Sequence, residues 1–341
     1  MPYNIQQIND RYSWEQIIAP WHPNTFLQSW EWGETQSADG EGVIRLAVRD
    51  QDNIMAVANV ILVNARRGRH YLIPHGPLYA SEKHAPACLE AIITYLKNKS
   101  RQDNSCALRI APLSIATPEN HSLYQNLNFR PAPLHVHTEL TWVLDINRNA
   151  DQILAGMRKT TRHAINKAQA CGLSCEVITD ISAIERFWPL YDTTRQRHHF
   201  VPFSKKFLSS QWQAFAAHNQ VFSVIARYQD KDVAAGIFMD YAGTVFYHHG
   251  ASVKLSSQIP AAHLVQWRAI EEAMRRGANR YNFWGIAPDN EPNHPFAGIT
   301  VFKKGFGGTA MDYLHAQDLP FSMRYWQLWL VDTYRKYRRG F

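Results

Sequence analysis

The sequence lacks any long run of apolar residues. No segment of its 341 residues approaches the roughly 18 consecutive apolar residues that a membrane-spanning helix needs. The N-terminal residues have neither a basic start nor an apolar core, so we expect no secretory signal peptide. The four cysteines are scattered, and the Cys171/Cys175 pair has no second pair at zinc spacing. These absences predict a soluble protein of the reducing cytoplasm.

Common catalytic signatures are also missing. The sequence has no Gly-x-Ser-x-Gly elbow for a nucleophilic serine and no cysteine in a recognisable nucleophile context. The stretch TVFKKGFGG holds glycines and two lysines but is not a Walker loop, because Lys303 and Lys304 precede Gly305 and no Ser or Thr follows either lysine. The two lysines therefore need another role.

The composition describes a folded protein, with 45% hydrophobic and 19% charged residues. The length suits two domains of about 150 residues each. The formal net charge of +7 and an isoelectric point near 9.2 favour a polyanionic partner. Nucleic acid, a phosphorylated substrate and an anionic membrane face all fit that charge.

An internal repeat supports the two-domain interpretation. Val48–Val60 (VRDQDNIMAVANV) aligns with Ala226–Phe238 (ARYQDKDVAAGIF), and each reads as a strand, a polar turn and a strand of small residues. Further strands and helices follow each hairpin in a similar order. We therefore predict two copies of an α+β unit, residues 1–147 and 148–341, joined by the polar stretch Asp145–Asp151.

A basic helix is predicted at the start of the second half. Apolar residues recur at helical spacing from Asp151 to Gly172, with Asn149 or Asp151 as the N-cap. No acidic residue lies between Asp151 and Glu176. A one-signed face repels itself, and either a bound polyanion or ordinary solvation would relieve it. The candidate anion contacts are Arg158, Lys159, Arg162 and Lys167.

Histidine pairs do not indicate a metal. His135 and His137 would share a face if their stretch were a strand, but no carboxylate at matching spacing accompanies them. His248 and His249 precede Gly250 on a predicted inner strand, where a packed core histidine is the simpler interpretation. The sequence predicts no metal site.

Four stretches, in this order along the chain, resemble the Fem family of aminoacyl-tRNA-dependent peptidoglycan interpeptide-bridge transferases (FemABX-like). They are FLQSWEWGE (Phe26–Glu34), MRKTTRHAINKAQACGL at the start of the second half, the segment Gly250–Ile286, and GITVFKKGFGG (Gly298–Gly308). The span Ala183–Asn219 has room for one or two short helices, so the chain resembles a short member without a long helical arm. One departure is Gln36, four residues after Trp32, where relatives often have a lysine.

The resemblance implies a fold and a reaction. The fold would be a tandem duplication of an N-acetyltransferase-like (GNAT superfamily) domain, α+β with mixed sheets flanked by helices. The reaction would move an amino acid from aminoacyl-tRNA to an amine of a stem peptide, carried by a UDP-linked muramyl pentapeptide or lipid II. Aminoacyl-tRNA would be a co-substrate, and no further cofactor is expected.

The same resemblance places a functional lysine in the FKKGF turn and does not choose between Lys303 and Lys304. Aminolysis of an activated ester needs positioning and stabilisation of developing negative charge, which a lysine ammonium supplies. The remaining predicted substrate contacts are Trp32 and, at the end of the last buried strand, Asn282, Trp284 and Gly285.

Two other functions share these features. A CoA-dependent N-acyltransferase would normally carry a glycine-rich turn before the helix after the central strands, and Ser256–Leu264 has no glycine and contains Pro260. A non-catalytic RNA-binding module would use the basic helix alone. The aromatic C-terminal segment ends in basic residues and would either pack on its domain or rest on the cytoplasmic membrane face as a peripheral contact.

Overall fold

The computed structural model describes residues 3–198, 200–254 and 259–339. These residues form two compact units, one built from 1–139 together with 311–341 and the other from 140–310. The strands are β1 (Asn4–Gln7), β2 (Gly42–Asp50), β3 (Asn53–Ala65), β4 (Gly68–Pro74), β5 (Leu78–Tyr79), β6 (Ala107–Ala111), β7 (Arg130–Pro131), β8 (Leu140–Asp145), β9 (Ser174–Ile178), β10 (Val221–Tyr228), β11 (Lys231–Tyr241), β12 (Thr244–Ser252), β13 (Arg280–Gly285), β14 (Thr309–Asp312) and β15 (Gln317–Pro320).

Helices accompany these strands along the chain. They are α1 (Arg11–Ile18), α2 (Trp30–Ala38), α3 (Ala85–Asp103), α4 (Pro118–Asn126), α5 (Ala150–Gly156), α6 (Lys159–Ala170), α7 (Ser182–His198), α8 (Lys205–Ala216), α9 (Ala261–Arg275), α10 (Ala297–Lys304) and α11 (Tyr325–Arg339). The span Ala183–Asn219, which was expected to hold one or two short helices, contains most of α7 and all of α8.

In the first unit the sheet order is β1-β2-β3-β4-β6-β15-β7, with β5 beside β3. Strands β4 and β6 pair in parallel, and α3 connects them across one face. Cys88, Leu89, Ile92 and Leu96 recur at helical spacing on α3 and are buried in the core of the unit. Burial of this stripe fixes the helix on the sheet.

The second unit repeats this plan. Its sheet order is β14-β8-β13-β12-β11-β10-β9, and β12 and β13 are the parallel pair connected by α9. Leu264, Val265 and Ile270 of α9 are buried against Phe222 and Phe238 of the sheet. The tandem α+β architecture with mixed sheets flanked by helices is confirmed.

The duplicated hairpins match in detail. A β-bulge lies immediately before Arg49 in the β2–β3 hairpin and immediately before Arg227 in the β10–β11 hairpin. Each arginine then donates to a turn carbonyl, from Arg49 Nη1 to the Asp52 oxygen at 3.1 Å and from Arg227 Nη2 to the Asp230 oxygen at 2.9 Å.

Gln51 and Gln229 occupy the same place in the two turns, and both have left-handed backbones, with φ of 52° and 49°. Left-handed φ is uncommon for a residue other than glycine, so its recurrence at aligned positions is not expected of two unrelated hairpins. The structure therefore supports duplication as the origin of the sequence match.

The units do not follow the predicted boundary between residues 147 and 148. Strand β8 pairs with β13, which places Leu140–Asp145 in the second unit. Strand β15 pairs with β6, which returns the C-terminal segment to the first unit. Pairing between strands about two hundred residues apart leaves no local pattern in the sequence. The predicted division into residues 1–147 and 148–341 was wrong for this reason.

The C-terminal segment is held in the first unit by a buried ion network. Arg109 of β6 donates to both carboxylate oxygens of Asp318 at 2.6 and 2.7 Å and to Asp332 of α11 at 2.9 Å. Arg67 also pairs with Asp332, at 2.9 Å. Buried charges of this kind are tolerated only when they are paired and hydrogen-bonded.

We expect Asp318→Asn to lower the free energy of unfolding of the first unit by about 3–5 kcal/mol, because it leaves the buried Arg109 short of a counter-charge. Asp52→Asn, on the exposed β2–β3 turn of the same unit, is the matched control and should change stability by less than about 0.5 kcal/mol. Urea unfolding of both variants measures the difference. Equal stabilities would contradict this role of the network.

Candidate active site

The candidate site lies where two parallel strands of the second unit part. Strands β12 and β13 pair through Thr244–Phe246 and Arg280–Asn282, and their pairing ends at Phe246 and Asn282. On its other side, β13 pairs with β8 with an irregularity between Asn282 and Gly285. The end of β13 therefore has backbone groups that are available to side chains from other elements.

Trp284 marks the irregularity. Its backbone has φ of 65°, and its amide donates to the Asn282 side-chain oxygen at 2.8 Å. A bulky residue in the left-handed region is strained, and the buried Asn282 side chain stabilises the bend. The Trp284 ring meets the rings of Phe246 and His248 edge-on, with centroids 5.7 and 6.2 Å away. Asn282 thus shapes the strand end on which Trp284 is presented.

Lys303 reaches this strand end from the last turn of α10. Its side chain is buried, with the residue 5% exposed, and Nζ donates to the Gly285 carbonyl oxygen at 2.5 Å. Nζ also lies 5.8 Å from the centre of the Tyr247 ring. Burial lowers the pKa of Lys303 from 10.5 to about 7. A buried lysine with its ammonium and amine forms both accessible near neutral pH is typical of functional sites.

Lys304, the other candidate, has different surroundings. Its ammonium pairs with the carboxylate of Asp289, whose side chain is 86% exposed, and lies 5.3 Å from the centre of the Trp142 ring. Solvent-exposed pairs of this type contribute little to stability or positioning. The structure therefore separates the two lysines, because Lys303 is buried at the end of β13 whereas the half-buried Lys304 pairs with the exposed Asp289.

The phenylalanines anchor the lysine turn. Phe302 and Phe306 contact each other edge-on at 5.3 Å, and both contact the ring of His263 on α9. Thr300 accepts from the Ala287 amide at 2.7 Å, which ties α10 to the chain leaving β13. These contacts hold the Lys303 backbone in place.

The glycines after the lysines allow close approach to neighbouring elements. A Cβ at Gly305 would lie 2.4 Å from the Thr161 hydroxyl oxygen of α6, and one at Gly308 would lie 2.4 Å from the Val143 carbonyl oxygen of β8. Gly308 also has φ of 104°, which other residues rarely adopt. The glycines therefore determine the packing of the turn.

The basic segment is two helices, and the prediction of one continuous helix was wrong. Met157 and Arg158 have extended backbones, with ψ of 156° and 144°, between α5 and α6. Arg162 fills the break, because its Nη1 donates to the carbonyl oxygens of Leu154 at 3.3 Å, Ala155 at 3.1 Å and Met157. This arginine caps the end of α5, a structural use that the sequence did not reveal. Asn149 is confirmed as the N-cap of α5.

Arg158 connects the basic segment to the lysine turn. Its backbone amide donates to the Gly305 carbonyl oxygen at 2.9 Å, and its side chain is exposed with Nη1 3.5 Å from the Val301 carbonyl oxygen. Lys159 is exposed on the first turn of α6, and Lys167 is half-buried two turns later. The start of α6, with Arg158 and Lys159, therefore lies beside the lysine turn.

Trp32 is a buried residue of the first unit, whereas the lysine turn belongs to the second unit. Its ring meets Phe26 and His137 edge-on at 5.8 and 6.1 Å. The His135–His137 stretch is irregular and not a strand, so the expectation of a shared face was wrong.

Tyr247 is a site residue that sequence reasoning missed. Its hydroxyl lies over Gly250, where a Cβ would approach it to 1.7 Å, and burial raises the Tyr247 pKa to about 12. Gly250, which follows His248 and His249, was the sequence feature that could have indicated a side chain packed closely over the strand. His249 is the packed core histidine expected, buried against Tyr191 and Phe203, and burial lowers its pKa to about 3.

The start of α9 differs from a pyrophosphate cradle. In the described part, the Ala261 and His263 amides donate to the carbonyls of Ile259 and Pro260 at 3.0 and 3.1 Å, so they are already occupied. Residues 256–258 of the predicted Ser256–Leu264 stretch lie outside the described residues. Free amides at a helix start are what CoA recognition would use.

Among the helices of the described residues, none has the length and apolar character to cross a membrane.

Comparison with known proteins first gives the class. A family model described as "Acetyltransferase (GNAT) domain" matches residues 155–296. The crystal structure of FemX superposes with a TM-score of 0.83 and 15% identity, over 96% of this chain and all of that one. A tandem GNAT protein from the clavulanic acid biosynthesis pathway gives a TM-score of 0.55 at 10% identity, over 94% and 99% of the two chains. The protein therefore has a tandem GNAT-like fold.

Sequence matches to one family within this class cover part of the chain. The FemAB family model matches residues 17–129. The aminoacyltransferase FemA of Staphylococcus epidermidis is 33% identical over 82 residues, which are 24% of this chain and 20% of that protein. The match thus spans about a fifth of the length of this curated relative. Residues 17–129 thus resemble the FemAB family in sequence, and the fold of the chain resembles that of FemX.

The depressed pKa of Lys303 makes stability depend on pH. Between pH about 7 and 10.5 the unfolded chain keeps the lysine proton that the folded protein has lost, so stability rises with pH. Relative to Lys303→Met, the free energy of unfolding of the wild type should rise by up to about 1.4 kcal/mol per pH unit over this interval. Denaturant unfolding between pH 6 and pH 9 measures this gain.

Lys304→Met is the matched control, because its ammonium pairs with the exposed carboxylate of Asp289. The difference between wild type and this control should stay constant from pH 7 to pH 9. A constant difference for Lys303→Met as well would contradict a buried, titrating Lys303.

Proposed function

We propose that the protein is an aminoacyltransferase that moves an amino acid from aminoacyl-tRNA to an amine of a peptidoglycan-precursor stem peptide. The observation that carries the proposal is Lys303, a buried lysine held by the Gly285 carbonyl where β12 and β13 part. The match of residues 17–129 to the FemAB family model and the name of the matched relative, an aminoacyltransferase, support the reaction class.

The reaction is aminolysis of an ester. The acceptor amine attacks the ester carbonyl, a C–N bond forms and the carbonyl oxygen takes the negative charge. The C–O bond to the ribose then breaks, and the proton lost by the amine is transferred to the ribose oxygen. The donor ester is already activated, so no protein nucleophile is required, in line with a sequence that has no serine elbow.

Lys303 is assigned to the reacting centre. As an ammonium it donates to the developing oxyanion, and preorganised donors in a water-poor site are especially effective. As a neutral amine it accepts the proton from the attacking amine and returns it to the ribose oxygen. A pKa of about 7 makes both forms available, and the Gly285 contact leaves two of the three ammonium hydrogens for substrate.

The basic residues are assigned to the tRNA donor. Arg158 and Lys159 start α6 beside the lysine turn, and Lys167 lies on the same helix. Arg162 contributes by fixing the break between α5 and α6. Trp284 is assigned to the acceptor or the aminoacyl group at the strand end. The acceptor is a UDP-linked muramyl pentapeptide or lipid II, and no cofactor besides the aminoacyl-tRNA co-substrate is proposed.

A CoA-dependent N-acyltransferase is the alternative on this fold. The GNAT family-model match favours it. The occupied Ala261 and His263 amides at the start of α9 weigh against it, because CoA pyrophosphate would need such donors to be free.

The test offers purified protein both donors, labelled aminoacyl-tRNA and acyl-CoA, with a UDP-linked muramyl pentapeptide and with lipid II. We expect transfer from aminoacyl-tRNA alone. Lys303→Met should reduce the single-turnover rate about 10²–10³-fold, the usual loss for one oxyanion donor. Lys304→Met, the neighbouring control, should stay within about fivefold of wild type, since its partner Asp289 is solvent-exposed.

Transfer from acyl-CoA without transfer from aminoacyl-tRNA would overturn the proposal. Equal rates for the two lysine variants would overturn the assignment of Lys303.

We further propose that α11 rests on an anionic membrane. Tyr325, Leu328 and Asp332 face the interior of the first unit. The opposite face is an exposed apolar stripe with residues three or four positions apart, Trp326, Leu330, Tyr334 and Tyr337, and the exposed Met323 precedes the helix. Exposed basic residues flank it, namely Arg324, Lys336 and Arg338. Aromatic and apolar residues between basic ones are typical of helices that lie in a lipid headgroup layer.

Cosedimentation with vesicles tests this contact. The wild type should bind phosphatidylglycerol vesicles, lose binding as salt is raised, and not bind phosphatidylcholine vesicles. Leu330→Glu with Tyr334→Glu should weaken binding more than about tenfold. Tyr12→Glu, a similarly exposed aromatic on α1, is the control and should bind as wild type. Equal binding to both vesicle types, or by the double variant, would contradict membrane docking.

A further inference from the structure

Three side chains of the first unit converge on one point. His135 Nδ1 lies 2.5 Å from Glu139 Oε2, and His315 Nδ1 lies 2.8 Å from the same oxygen. These three atoms all lie within 4.8 Å of one another. The residues are brought together by the fold, because the Tyr313 amide donates to the Glu139 carbonyl at 2.9 Å and aligns the two chain segments.

The hydrogen bonds around the cluster orient its ligand atoms. His315 Nε2 lies 2.8 Å from the Ala132 carbonyl oxygen, which only accepts, so Nε2 carries a hydrogen. In the neutral ring, Nδ1 then points a lone pair at Glu139. The second oxygen of Glu139, Oε1, accepts from the Ala316 amide at 2.9 Å, which fixes the carboxylate.

This arrangement is the one that metal ligands commonly have. A ligating histidine usually donates its other ring hydrogen to a carbonyl or carboxylate, and a ligating carboxylate is itself hydrogen-bonded. Here a ring lone pair and a carboxylate oxygen face each other and require a positive centre between them. Without a metal, a proton on Nδ1 of His315 would make that ring an imidazolium, and His135 would donate to the same oxygen from Nδ1 of a neutral ring, with the ring centroids 5.0 Å apart. One divalent cation meets all three atoms at once.

We propose that His135, Glu139 and His315 bind a divalent transition-metal ion, Zn²⁺ by the chemistry of the donors. Two imidazole nitrogens and one carboxylate oxygen suit zinc better than the oxygen-seeking Mg²⁺ or Ca²⁺. The fourth position is open to water, since the His135 side chain is 45% exposed and that of His315 is 27% exposed.

The fit requires a small adjustment. Two ligands of a tetrahedral zinc at about 2.0–2.1 Å are about 3.3 Å apart, so both histidines must move from Glu139 by about 0.5–0.8 Å. His135 is exposed and lies in an irregular stretch, which allows this movement. The bound ion would link the chain entering β8 to the chain entering β15 within the first unit.

The experiment measures zinc binding to the tag-free full chain by competition with a chromophoric chelator. We expect one site per chain with a Kd of about 1 μM or below, and at least about tenfold weaker binding in His135→Ala and in His315→Ala. His121→Ala, an exposed histidine on α4, is the matched control and should bind as wild type. His135→Ala is the variant least prone to misfold, because its side chain is exposed.

Two further readouts separate ligation from a structural effect. Zinc should raise the unfolding midpoint of the wild type and of His121→Ala but not of His135→Ala. Cobalt in place of zinc should give the visible absorption of a four-coordinate ion in the wild type only. Absence of a site in the wild type, or an equally tight site in the double His135→Ala/His315→Ala variant, would overturn the proposal.

Discussion

The contact between Lys303 and the Gly285 carbonyl is the constraint on which the candidate site depends. It joins the last turn of α10 to the end of β13 at 2.5 Å, where that strand has left its parallel partner. The carbonyl is available because Trp284 takes a left-handed backbone held by Asn282. The strained backbone of Trp284 and the buried Lys303 are therefore parts of the same local structure. Backbone strain and buried charges are common at functional sites.

The surrounding packing maintains that arrangement. Phe302 and Phe306 fix the lysine turn against α9, and Gly305 lets the turn approach α6 closely. The Arg158 amide then ties the start of the basic helix to the same turn. Three features that are separate in the sequence, the lysines, the glycines and the basic helix, thus become parts of one local structure.

Local patterns in the sequence predicted the longer strands, the duplicated hairpin and the lysine turn, because periodicity and turn chemistry act over a few residues. The break at Met157 was not predictable in this way, since the apolar spacing continues across it. The carbonyls left free at the end of α5 are satisfied by Arg162 of the next helix. The place of β15 beside β6 depends on a pairing across about two hundred residues. The choice of Lys303 over Lys304 depends on burial, which adjacent residues in a sequence do not reveal.

The most direct test of the account is the titration of the Lys303 ε-amine by NMR, with ¹³C-labelled lysine and with Lys303→Met to assign the signal. The account predicts one lysine that titrates near pH 7 and shifts when a non-hydrolysable aminoacyl-RNA analogue is added. Titration of every lysine near its ordinary pKa of 10.5, with no shift on adding the analogue, would contradict the account.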